Sequence, residues 1–120
     1  MEGQIKSYKE LIVWQKSIDL VVEVYRVTEN FPRQEMFDLT SQMRRSAVSI
    51  PSNIAEGRGR GTRKDFSNFL KVSLGSSNEL ETQIEIAKRL NYLKKCDYLE
   101  NLLVEIMKIT NTMVVKLDYK

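Results

Sequence analysis

Four cations, Arg58, Arg60, Arg63 and Lys64, fall within the eight residues from Gly57 to Lys64, interleaved with Gly59 and Gly61 and with no acidic residue among them. Guanidinium groups bind phosphate oxygens in bidentate fashion, and glycine lets a polynucleotide backbone come close. Contact with RNA or DNA is the chemistry such a segment can do. The whole chain carries +3, from 19 basic and 16 acidic residues; without this segment, 15 basic residues face 16 acidic ones. The charge is therefore one cationic spot on a nearly neutral chain, not a diffuse basicity. Arg44 and Arg45 add a second basic pair. One is expected to face solvent or phosphate and the other to pair with a carboxylate such as Glu79 or Glu56. Phe66 and Phe69 could stack on bases, but their helical spacing places them in a core.

Other chemistry is excluded by composition. The chain has no histidine and one cysteine, Cys96. That removes zinc sites, Cys-His nucleophiles and Ser-His-Asp triads, together with any intramolecular disulfide. No catalytic or metal-ligating set is assigned, and no cofactor is expected. The one polar cluster with the look of a site is Asn53 and Glu56 beside Pro51, facing Ser77 and Glu79. A magnesium-dependent nuclease would need more converging carboxylates than these two; an ion-pair network is the simpler reading. With neither a twenty-residue apolar run nor a secretory leader, a cytoplasmic protein with no membrane partner is expected.

The elements that must position these residues are helices. A single domain of 120 residues with five glycines and two prolines leaves room for long uninterrupted ones. The first is expected over about 8–30, opened by a Ser7–Glu10 capping box. Its main apolar stripe is Leu11, Trp14, Ile18, Val21 and Tyr25. Ile12, Val13, Leu20 and Val24 then exceed what one bundle core can bury, and are expected to form an interface between subunits. Asn30-Phe31-Pro32 ends this helix.

The second helix is expected over 33–56 with Met36, Leu39, Met43, Ala47, Ile50 and Ile54 inward. Pro51 should kink it, with Ser49, Ser52 or Asn53 satisfying freed backbone groups, and Gly57 should be its left-handed terminator. The third, over 63–90, starts at the N-cap Thr62. Small residues from Ser73 to Ser77, Gly75 among them, should let the second helix approach closely. The fourth, over 97–118, is capped by Asp97. Short connections between long helices imply an antiparallel up-down-up-down four-helix bundle roughly 33 to 42 Å long.

Four segments carry a resemblance. They are Leu11-Ile12-Val13-Trp14-Gln15-Lys16, Leu39-Thr40-Ser41-Gln42-Met43-Arg44-Arg45, Ser49-Ile50-Pro51-Ser52-Asn53-Ile54-Ala55-Glu56-Gly57 and Gly75-Ser76-Ser77-Asn78-Glu79-Leu80-Glu81-Thr82. In that order, from about Tyr8 to Leu93, the chain resembles the four-helix-bundle family of 23S rRNA intervening-sequence proteins. The resemblance implies a bacterial homopentamer with no catalytic residues to carry over. Accessory proteins of diversity-generating retroelements share the fold, which makes a reverse transcriptase a conceivable partner. Two main readings follow: an oligomeric adaptor touching RNA or DNA through Gly57–Lys64, or a protein–protein scaffold recruiting an acidic partner.

Overall fold

The computed structural model describes residues 7–119. Four α-helices, α1 (Ile12–Thr28), α2 (Leu39–Gly59), α3 (Arg63–Arg89) and α4 (Asp97–Asp118), alternate in direction. α1 packs on α2 and α4, and α3 packs on α2 and α4; among the described residues the backbones of the diagonal pairs stay more than 8 Å apart. The result is an antiparallel four-helix bundle, square in section, measuring 49 × 24 × 23 Å.

α1 buries the stripe that neighbours the expected one, about 100° round the helix, and of the expected stripe only Leu11 is buried. Val13, Ser17, Leu20, Val24 and Thr28 are buried, while Ile12 and Val22 are 66% and 64% exposed and Ile18 and Tyr25 also face outward. Trp14 and Val21 sit half-buried at the edge. The reason lies in two polar residues. Ser17 Oγ donates to the Val13 carbonyl at 2.6 Å and Thr28 Oγ1 to the Val24 carbonyl at 2.7 Å. A hydroxyl bonded to its own helix four residues back can be buried at little cost. Read as polar, Ser17 and Thr28 break the true core stripe. Val13, Leu20 and Val24 are thus core residues and cannot form a subunit interface; Ile12 alone of that set is exposed.

Helix starts also shift. Ser7 caps a short 3-10 turn, Tyr8–Glu10, by accepting from the Lys9 N–H, and α1 begins only after Leu11. After Pro32 a second 3-10 turn, Arg33–Glu35, precedes α2, so Met36 lies outside the helical register and is exposed. α4 has Cys96 at its N-cap position, with Asp97 already helical. Leu90 is exposed just past the end of α3.

α2 continues through the buried Pro51 as one helix. Asn53 Nδ2 donates to the Ser49 carbonyl at 2.8 Å and to Ser49 Oγ at 2.9 Å, not to the Ala47 carbonyl that Pro51 leaves without its donor. α3 reinforces this stretch from outside, with Ser73 Oγ donating to the Ile50 carbonyl at 2.9 Å and a Ser49–Ser76 hydroxyl pair at 2.7 Å. Serines therefore mediate the close contact of α2 with α3. Gly75 takes no part, since a Cβ there would meet open space.

Gly57 is not the terminator of α2. It is buried inside the helix, where an added Cβ would come 2.6 Å from Phe69 Cβ. The left-handed residue is Gly61, with φ of 87°, immediately before Thr62. Thr62 Oγ1 accepts from the Asp65 N–H at 3.1 Å and starts α3 as expected. At the other end of α3, Asn91 takes φ of 64° and the Tyr92 N–H returns to the Ala87 carbonyl at 2.9 Å, a left-handed helix terminus.

Candidate functional site

The basic turn lies at the end of the bundle where α2, α3 and the C-terminus of α4 meet. Because α2 reaches Gly59, the connection to α3 is only three residues long, and most of its cations sit on helix ends. Arg60 Nε donates to Glu56 Oε2 at 2.8 Å, and its guanidinium lies 5.0 Å from the centre of the Phe69 ring. Arg63 turns toward α4 and donates to the carbonyls of Lys116 at 3.0 Å and Leu117 at 3.2 Å. Those carbonyls belong to the last turn of α4, the negative pole of its dipole. Lys64 is exposed and Arg58 half-buried.

A second network borders the turn. Asp118 accepts from Ser67 Oγ and pairs with Lys71 Nζ at 3.0 Å. These two hydrogen bonds hold the Asp118 carboxyl below its usual range, the serine contributing most. The end of the bundle is consequently less positive than the isolated segment suggests. Glu56 and Asp118 bring negative charge to the same place, and Arg60 and Arg63 are held in fixed orientations.

Arg44 and Arg45 are not part of this site. Fifteen residues of helix separate Arg45 from Arg60, about 22 Å at 1.5 Å per residue. Arg44 bridges α2 to α1, with no carboxylate partner among the described residues: Nε donates to Thr28 Oγ1 at 3.0 Å, and the guanidinium stacks 4.5 Å from the Tyr25 ring centre. Arg45 is exposed on a cleft that Glu79 also lines, yet no ion pair forms between them. The expected pairing of either arginine with Glu79 or Glu56 is not found among the described residues.

The cluster of Asn53, Glu56, Ser77 and Glu79 does not assemble either. Asn53 serves the α2 backbone, Glu56 holds Arg60, and Ser77 Oγ donates to the Ser73 carbonyl on its own helix. What does converge between α2 and α3 is a polar cleft of about 300 Å³ containing Arg45, Ser46, Ser49, Ser76, Glu79 and Gln83. Gln83 Oε1 is buried there without a hydrogen-bond partner among the described residues. Along the chain Gln83 alternates with Glu79, Glu81 and Glu85 and reads with them as mostly solvated, whereas the structure buries it. Its i+4 relation to Glu79 was the available signal. Cys96 is buried, and burial, followed by the neighbouring Glu100, pushes its thiol upward, away from a reactive thiolate. Among the described residues no group of three or more acidic or cysteine side chains converges as a metal site. Nor is any helix there long and apolar enough to cross a membrane.

The fold and its motifs find their counterpart in a family model described as 23S rRNA-intervening sequence protein, which matches residues 9–112. The chain belongs to that family. Two of its motifs meet where Ser49 of α2 touches Ser76 of α3, while the rest of the Ser49–Gly57 segment packs on the first half of α3. A crystal structure from Bacteroides thetaiotaomicron, described as a protein with unknown function from the S23 ribosomal protein family, is similar over most of the chain. It shares 30% identity and a TM-score of 0.76, covering 86% of this chain and 98% of the other. Among curated proteins, none matches this chain.

Proposed function

We propose that this family member is a non-enzymatic, cytoplasmic, self-assembling adaptor that contacts RNA or DNA through the basic end of the bundle. The observation that carries the reading is the fixed presentation of Arg60 and Arg63 beside the exposed Lys64. Arg60 is held by Glu56 and Phe69, and Arg63 by the α4 carbonyls, so little side-chain entropy remains to be lost on meeting a phosphate. Each guanidinium retains donors beyond those engaged internally. One such end is a weak site. Several copies gathered in a ring, five being the number that the family resemblance implies, would create a field strong enough to hold a polynucleotide.

The test is fluorescence anisotropy with labelled single-stranded RNA and DNA across a salt series. Binding should weaken steeply with salt through counterion release, and Arg60→Ala with Lys64→Ala should reduce both affinity and the salt slope. Retention of full binding by that double variant would refute the assignment. Capture of an acidic protein partner that survives nuclease treatment would favour the scaffold reading instead.

A further inference from the structure

Two patches on opposite sides of the subunit complement each other. The first lies on the α1–α2 side. Phe37, on the turn before α2, is 97% exposed, and Met36 beside it is also exposed. With Tyr25 and Val48 they border a shallow groove whose only charged side chains are Arg44 and Arg45. The second is a groove of about 580 Å³ between α3 and α4, floored by Ile84, Ile86, Leu103 and Val104. Its charged rim is Glu81, Glu85, Glu100 and Arg89. On one side an aromatic knob, with the exposed Asp38 next to it in the chain, thus stands over a groove lined by Arg44 and Arg45, and an apolar trough with a mainly negative rim lies on the other. Glu85 and Glu100 already pair with Arg89 and Lys88. Among the described residues, Glu81 and Arg45 have no ion pair within the chain.

We infer that Phe37 of one copy seats in the α3–α4 groove of a second copy, with Arg45 brought to the Glu81 rim. The inference rests on the self-assembly proposed above and specifies its contact surfaces. Charge complementarity between two patches of the same chain singles out a second copy as the occupant. Phe37 also has the character of an interface anchor, a large rigid apolar side chain that is costly to leave in water.

Geometry determines the kind of assembly. Since α1 neighbours α2 and α4 but not α3, and α3 neighbours α2 and α4, the α1–α2 and α3–α4 sides lie across the bundle from each other. Both patches are at the same end of it, because Tyr92, just after α3, donates to Glu35, just before α2, at 2.9 Å. A contact between two different patches at one level repeats head to tail with bundle axes in a common direction, and closes into a ring when the rotation per subunit permits. Every Gly57–Lys64 turn then falls on a single rim at the far end.

Light scattering of the full chain with Phe37→Asp and Val104→Glu tests this. The wild type should form an assembly, and each variant alone should fall to 14 kDa while keeping its helical circular dichroism. Mixing the two should yield two-chain particles, because a knob-deficient subunit keeps its groove and a groove-deficient one keeps its knob. Ile86→Glu replaces Val104→Glu if the latter fails to fold. An assembled wild type whose Phe37→Asp variant assembles equally well overturns these surfaces alone. Folded variants that dissociate but do not pair on mixing overturn the head-to-tail arrangement. A monomeric wild type at high concentration overturns both this inference and the self-assembly on which it rests.

Discussion

Gly57 and Phe69 bring α2 and α3 together so closely that a single added Cβ would lie 2.6 Å from the phenylalanine Cβ. The obstructing atom is anchored to the α3 backbone, so one helix would have to move. Gly75, also helical, faces open space. The two glycines should respond to alanine in opposite directions. Gly57→Ala should destabilise by about 1–3 kcal/mol through overpacking, despite its better helix propensity. Gly75→Ala should stabilise by about 0.5–1 kcal/mol. Urea denaturation of both variants under identical conditions checks the pair.

Ser73 donates to the Ile50 carbonyl from a fully buried position. Ser73→Ala should cost about 1 kcal/mol for the lost hydrogen bond, while Ser73→Leu should cost more through overpacking between α2 and α3. A loss on the alanine change with no further loss on the leucine change would mean that this contact is looser than the geometry indicates. Thermal unfolding read by circular dichroism distinguishes the two.

Arg63 stabilises the last turn of α4 by donating to its carbonyls. Arg63→Ala should raise amide hydrogen exchange near the α4 C-terminus and leave the Ile106 region protected. The global cost should be about 0.3–1 kcal/mol, since the effect is confined to one exposed helix end.

Asp118 titrates below its ordinary value of 3.8 because Ser67 and Lys71 favour its ionised form. A carboxyl depressed in the folded state contributes stability that is fully present above the unfolded value and is lost as pH falls through the folded one. The stability difference between wild type and Asp118→Asn should therefore hold steady from neutral pH to just above 4 and shrink below it. Denaturant titrations at several acidic pH values measure it. The effect should be small because the pair is exposed.

Much of the bundle was legible along the chain. The helix count, the Thr62 cap and the end of α3 near residue 90 follow from spacing and turn chemistry, which act locally. The face that α1 turns inward was not legible. Its two candidate stripes differ little in hydrophobicity, and the decision rests on whether Ser17 and Thr28 can bond their own backbone. The basic segment was visible as composition, but its division into a stacked Arg60, a helix-capping Arg63 and an exposed Lys64 was not. Glu56 is four residues from Arg60, a spacing that one helix explains only once α2 is known to continue past Gly57.

Local sequence alone determined that this chain makes four long helices joined by short turns, and placed its cations in one segment. Periodicity and capping are short-range properties and need no partner. Tertiary structure decided which faces are buried, that Gly57 marks a helix crossing, and that Met36 and Phe37 stand outside the core. These outcomes depend on side chains from helices distant in sequence competing for the same interior volume, and a one-dimensional pattern does not encode that competition.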